Sequence, residues 1–177
     1  MIFDRSRIRG IVTATVFGPD GMVKERERGI IRLFYGRWMI SREHNLVVTT
    51  GDRLIADAVS FTYARHKVDG TTGKMQVGTG FVSATKGTTA LTTPTGTAQV
   101  LDATYPKLQA VWGNAGASVV LYQVTFSPGS LNANGINEAI LENDTPDALA
   151  YAQVSPSVNV TLVDSLQLNW SLTFLGS

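Results

Sequence analysis

Among its 177 residues the chain has no cysteine. Disulfides, thiolate metal sites and cysteine nucleophiles are excluded together. Charge is scarce too, at 16% of residues against the roughly 25% of an average globular domain. No apolar run approaches the ~18–20 residues of a membrane helix, and the opening MIFDRSRIRG lacks the apolar stretch of a secretory signal. Neither an anchor nor export is therefore expected. Histidine occurs only at His44 and His66, outside any H-E-x-x-H or His-x-His spacing. The Gly-x-Ser-x-Gly elbow of a serine hydrolase is missing, and Gly78-Thr79-Gly80 lacks the third glycine and helix of a dinucleotide fold. Glu138, Glu142, Asp144 and Asp147 cluster without the spacing of a calcium-binding EF-hand loop. A carboxylate pair such as Glu138 and Glu142 would suit glycoside hydrolysis. The competing reading is a strand edge followed by an exposed turn at 143–147. The sequence predicts no enzyme, no cofactor and no metal.

What charge there is falls unevenly. Residues 1–67 hold twelve Lys/Arg against seven Asp/Glu, and residues 68–177 hold three against seven. Leu108 to Asn137 carries no charged side chain, and Ala148 to Ser177 carries only Asp164. A basic front meets a nearly neutral, weakly acidic back. The front's excess is too small to predict a nucleic-acid partner.

The pattern of apolar residues is mainly β. Ser165 to Phe174 alternates without error, with Leu166, Leu168, Trp170, Leu172 and Phe174 on one face and Gln167, Asn169, Ser171 and Thr173 on the other. Ile8 to Phe17 also alternates, and Gly18-Pro19-Asp20-Gly21 predicts a turn into a return strand over Met22 to Arg28. The alternating charges Lys24 to Arg28 read as a solvated edge or as a binding patch. Ile30 to Ile40 mixes Arg32 and Arg37 with Phe34, Tyr35 and Trp38. Such a mixture marks either an interface hot spot or a core strand whose arginines reach out to solvent.

A single helix is predicted over about 52–65, with Leu54, Ile55, Ala58, Val59, Phe61 and Thr62 facing inward and His66 at its end. Further strands are predicted at Lys74–Val82, Leu108–Trp112, Val120–Phe126, Gly135–Leu141, Leu149–Val154 and Val158–Val163, with Ser83 to Ala98 a Thr-rich loop. Gly78 and Gly80 mark a bulge or a close backbone approach. Seven to nine short strands indicate an antiparallel sandwich or barrel. The expected plan is one domain, with residues 1–43 a basic hairpin or arm and 44–177 the sandwich.

The order of motifs carries a resemblance. His44-Asn45-Leu46-Val47-Val48-Thr49-Thr50-Gly51 leads into a helix with Leu54-Ile55-Ala56-Asp57. There follow Met75-Gln76-Val77-Gly78-Thr79-Gly80, Thr88-Thr89-Ala90-Leu91-Thr92, Gly135-Ile136-Asn137-Glu138-Ala139-Ile140-Leu141 and the closing strand. Over roughly residues 44–175 this resembles small virion structural proteins of tailed bacteriophages and prophages, among them jelly-roll capsid cement, or decoration, proteins. Residues 22–43 are longer and more aromatic than the simple hairpin return of that pattern. The resemblance implies a jelly-roll-like β-sandwich without catalytic residues, made in the host bacterial cytoplasm and placed on the capsid surface of the virion. Its implied partners are the major capsid protein and copies of itself, with no membrane and no specific nucleic acid. Arg26, Arg28, Arg32, Phe34, Tyr35, Arg37 and Trp38 are the candidate partner interface, within a basic front that also holds Arg5, Arg7 and Arg9. Two other readings stay open: a tail, baseplate or fibre-associated component, and a carbohydrate-binding receptor module whose Trp38, Tyr63, Trp112 or Tyr151 stacks on sugar.

Overall fold

A computed structural model describes residues 7–24, 43–60, 65–110 and 117–175. The alternating patterns become strands where an apolar face can be buried. Among the described residues the strands are β1 (Arg7–Phe17), β2 (Glu43–Val47), β3 (Lys74–Gly78), β4 (Pro94–Val100), β5 (Lys107–Ala110), β6 (Ala117–Phe126), β7 (Ala133–Glu142), β8 (Ala148–Val160) and β9 (Ser165–Leu175). One helix, α1 (Thr49–Ser60), follows β2.

All pairings are antiparallel, in the continuous order β4-β3-β7-β8-β2-β1-β9-β6-β5. The ladder folds over at β2, whose first residues pair with β1 and whose Leu46 and Val47 pair with β8. Two sheets result: sheet A (β2-β1-β9-β6-β5) and sheet B (β4-β3-β7-β8-β2). The chain is thus mainly β, an antiparallel sandwich with one helix.

Register explains the core. Three rows cross the middle of sheet A on its inner face: Val12–Trp170–Tyr122, Ala14–Leu168–Val124 and Val16–Leu166–Phe126. Each of these residues is buried. Sheet B answers with Met75, Val77 and Leu141 and with the small Ala139, Ala150 and Ala152 in the same cluster. Large and small side chains of both sheets thus share one cluster, as close packing requires. The last strand behaves as its alternation predicts, except that Phe174, at the sheet's end, is only half-buried. Residues 7–17 are integral to the sandwich, because β1 lies between β2 and β9. The expected turn follows β1, with Gly21 N–H donating to Gly18 O and a bridge between Phe17 and Val23. The return strand beyond Lys24 lies outside the described residues.

Several local expectations differ. The helix begins at Thr49 rather than near Asp52, because Gly51 packs directly on the main chain of β8. A Cβ there would overlap the Leu149 carbonyl oxygen. Only the first turns dock: Leu54 is buried, Ile55 half-buried, and Ala58 and Val59 are exposed rather than inward. Phe61 and Thr62 of the expected inward stripe lie outside the described residues, and the Nδ1 of His66 lies 2.7 Å from Asp144 Oδ1. Residues 94–98, read as loop, begin edge strand β4, and the two stretches 149–154 and 158–163 are covered largely by one strand, β8.

Leu168 is fully buried in the central strand of sheet A. Leu168→Ala is expected to cost about 2–5 kcal/mol through lost burial and a residual cavity. Val59→Ser, at a 75% exposed position, is expected to change stability by less than about 0.5 kcal/mol. Urea denaturation followed by tryptophan fluorescence measures both.

Candidate functional site

Sheet B has a second apolar layer on its outer face. In register, Ile140 of β7 stands beside Tyr151 of β8, pointing away from the main core. Val48, Leu91 and Ala148 join them, with Phe81 and Ala84 packed alongside. The cover is the segment 79–93, which has no regular secondary structure. A segment of that length has main-chain donors that must find acceptors. Glu138 supplies them.

The Glu138 side chain is fully buried. Its Oε1 accepts the N–H groups of Gly80 (3.1 Å) and Thr93 (2.8 Å). Its Oε2 accepts the Thr92 N–H (2.9 Å) and the Tyr151 hydroxyl (2.5 Å). Asn137 Oδ1 accepts the Phe81 N–H at 2.9 Å, and the Phe81 ring stacks on Tyr151 with centroids 5.8 Å apart. Gly78 and Gly80 are needed for this closeness, since a Cβ on Gly78 would strike the Glu138 carboxylate and one on Gly80 the Thr93 side chain. The glycine pair predicted as a close approach is one. Burial pushes the Glu138 carboxyl up, but the Tyr151 hydroxyl and the three N–H donors more than reverse this, so its pKa lies below the ordinary value. Tyr151 is pushed upward by burial and by that carboxylate.

This arrangement fastens a loop and engages both oxygens of the Glu138 carboxylate. Glu142 lies four residues along the same strand, which separates the two Cα atoms by roughly 13 Å. Burial pushes the Glu142 carboxyl up, with Lys74, its neighbour in register, opposing. Tyr151 is 1% exposed and cannot stack on a sugar. Trp38, Tyr63 and Trp112 lie outside the described residues, as do Arg5 and the whole candidate interface Arg26, Arg28, Arg32, Phe34, Tyr35, Arg37 and Trp38. Arg7, Arg9 and His44 lie on β1 and β2. Among the described residues no group of three or more His, Asp or Glu is arranged to hold a metal, and no helix is long and apolar enough to cross a membrane.

The second candidate site is the outer face of sheet A, which among the described residues lacks a cover like that of sheet B. Its rows are Ile11–Ser171–Leu121, Thr13–Asn169–Gln123 and Thr15–Gln167–Thr125. All nine side chains are half-buried, and none is charged. Asp102 borders this face, accepting Gln123 Nε2, the Thr125 N–H and the Thr125 hydroxyl at 2.8–2.9 Å. At one end the small Ser171 sits between Ile11 and Leu121. The dip opens into a depression of about 260 Å³ whose lining also includes Thr13, Tyr105 and Asn169. The sequence revealed the polar half of this face in β9; the Glu138 fastening left no sequence signal beyond the glycine pair. Comparison of the chain with family models, curated proteins and solved structures finds no match.

Glu138→Gln places an amide NH₂ against N–H or O–H donors, and is expected to cost about 2–4 kcal/mol at pH 7. Because the folded-state pKa is depressed, Glu138's contribution is present above its unfolded value, ~4.3, and lost as pH falls through the folded value. Acid titration of thermal stability should therefore show a limb below about pH 4 that is shallower in the Gln variant.

Proposed function

We propose that the chain is a non-enzymatic structural protein of a tailed-phage particle. It decorates the capsid, bridges neighbouring major capsid subunits and so stabilises the head. A jelly-roll course for the chain belongs to the same proposal.

The observation that carries this reading is the uncharged middle of the outer face of sheet A, the patch of nine side chains on β1, β9 and β6 that Asp102 and Lys107 flank. Thr13, Thr15, Gln123, Thr125, Gln167 and Asn169 present hydroxyls and amides across three adjacent strands. Such groups hydrogen-bond to a partner without the desolvation cost of buried charge. A broad neutral face suits repeated contact with a symmetric shell better than capture of a small ligand. Modest affinity per contact is offset by the number of contacts. The order of motifs from His44 to Phe174 supports the same class of protein.

Quantitative gel analysis and electron microscopy of purified particles test the assignment. On the order of hundreds of copies with density over the head are expected, as symmetric decoration requires. A dozen copies or fewer, with density at the tail, would replace it with a tail or baseplate role. Gln167→Lys should abolish head binding while leaving the melting temperature within a few degrees of the parent, since it adds a charge that docking must desolvate.

A further inference from the structure

The turn between β8 and β9 breaks a local rule. Thr161 to Asp164 is a tight turn closed by the Asp164 N–H on Thr161 O at 3.0 Å. Its central residues are Leu162 and Val163, where Gly, Asn, Asp or Pro ordinarily sits. Neither reaches the core, at 56% and 57% exposed. Met22, in the neighbouring turn after β1, is 70% exposed. These turns adjoin, because Phe17 of β1 pairs with Ser165, the first residue of β9. They are also held rigidly. Asp164, 1% exposed, accepts Lys24 Nζ at 2.6 Å and the Thr161 N–H at 2.9 Å, and Gly129 N–H donates to Leu162 O at 2.7 Å. Large apolar side chains held more than half exposed on a hydrogen-bonded tip mark a surface for docking.

The same chain offers a seat. The depression around Ser171 is uncharged, floored between Ile11 and Leu121, and smaller than the ~300–1,000 Å³ of small-molecule sites. It has the scale of a few aliphatic side chains. Lys107 pairs in register with Leu121, and its Nζ lies 4.2 Å from the centroid of the Tyr105 ring on the depression's wall. On the tip, Asp20 is exposed and accepts the Met22 N–H at 3.0 Å. Tip and seat thus match in polarity, in relief and in the sign of the charge beside each.

We infer that the chain self-associates head to tail, with Leu162, Val163 and Met22 of one copy seated in the Ile11–Ser171–Leu121 depression of the next. Asp20 and Lys107 supply opposite charges across the contact. Within one chain the tip and the seat are about six residues apart along β9, roughly 20 Å, so they cannot satisfy each other. The contact is heterologous and propagates into a ring or a filament. Each contact falls short of the ~800 Å² per partner of a stable pair, so association depends on concentration. The inference concerns how copies touch one another and is tested without any phage particle.

Sedimentation velocity of the full chain, from about 10 to about 500 µM, is the test, this being the range in which so small a contact associates. The parent chain is expected to form oligomers that grow with concentration. L162D/V163D removes the tip, and L121D or S171L blocks the seat; each folds, by its circular dichroism and melting temperature, and stays monomeric. Mixed in equal amounts, a tip variant and a seat variant form a dimer and nothing larger, because one intact seat and one intact tip remain. D20K and K107E, both on the surface, each weaken association several-fold, and together in one chain they restore it. A parent chain monomeric throughout, tip variants that associate like the parent, or a mixture that stays monomeric would overturn the inference. So would charge variants that do not compensate.

Discussion

The buried carboxylate of Glu138 is the interaction on which the outer half of sheet B depends. Without its two oxygens, Gly80, Thr92 and Thr93 would hold three N–H groups beside an apolar layer with no acceptor. The segment 79–93 would then have no reason to lie on the sheet, and Ile140 and Tyr151 would face water. The fastening extends to the helix. Thr49 N–H donates to Lys86 O at 2.8 Å, and Lys86 Nζ reaches Asp52 Oδ2 at the same distance. One carboxylate, two glycines and a tyrosine thus set the position of a loop and of the element beside it.

The same device recurs. Asp69 accepts the Thr71 hydroxyl and the N–H groups of Thr71 and Thr72, and the first of these bonds leads in lowering its pKa to about 2. Asp102 holds the chain to β6 by accepting the Thr125 N–H where β5 no longer pairs with that strand. Asn143, fully buried, accepts the N–H groups of Thr145 and Asp147 and donates to His66 O. Asp164 closes the β8–β9 turn. Several acids of the weakly acidic back half are therefore bonded to main-chain donors, and they do not form a negative surface. A solvated acidic face and a set of turn fasteners have the same composition, so only geometry separates them.

That distinction also marks what could be read from sequence. Period-two alternation identified β9, β1 and β6 because each has one face in the core and one outside. It missed β4, whose residues are half-buried or exposed on both sides, so that no alternation was written into PTGTAQV. The helix was legible as a helix, but its inward stripe was extended too far. Ala58 and Val59 continue the periodicity past the point where sheet B supports it. Glu138 was visible only as an acid beside others. Nothing local tells a carboxylate on a strand that its partners lie 45 and 58 residues earlier in the chain.

The fasteners bear on contact with other chains as well. An interface made by loops and strand faces costs less to form when those groups are already ordered. In this sandwich the turns at 69–72, 143–147 and 161–164 are pinned by side chains that are themselves buried or bonded, and the long segment 79–93 is pinned at both ends. The order is built in during folding, not at docking. Sheet B directs its polar investment inward, to hold its own cover in place. Among the described residues, the middle of the outer face of sheet A keeps its hydroxyls and amides half-exposed and without charge. That division of labour finishes one face and, among the described residues, leaves the other open, with groups already ordered for any contact made there.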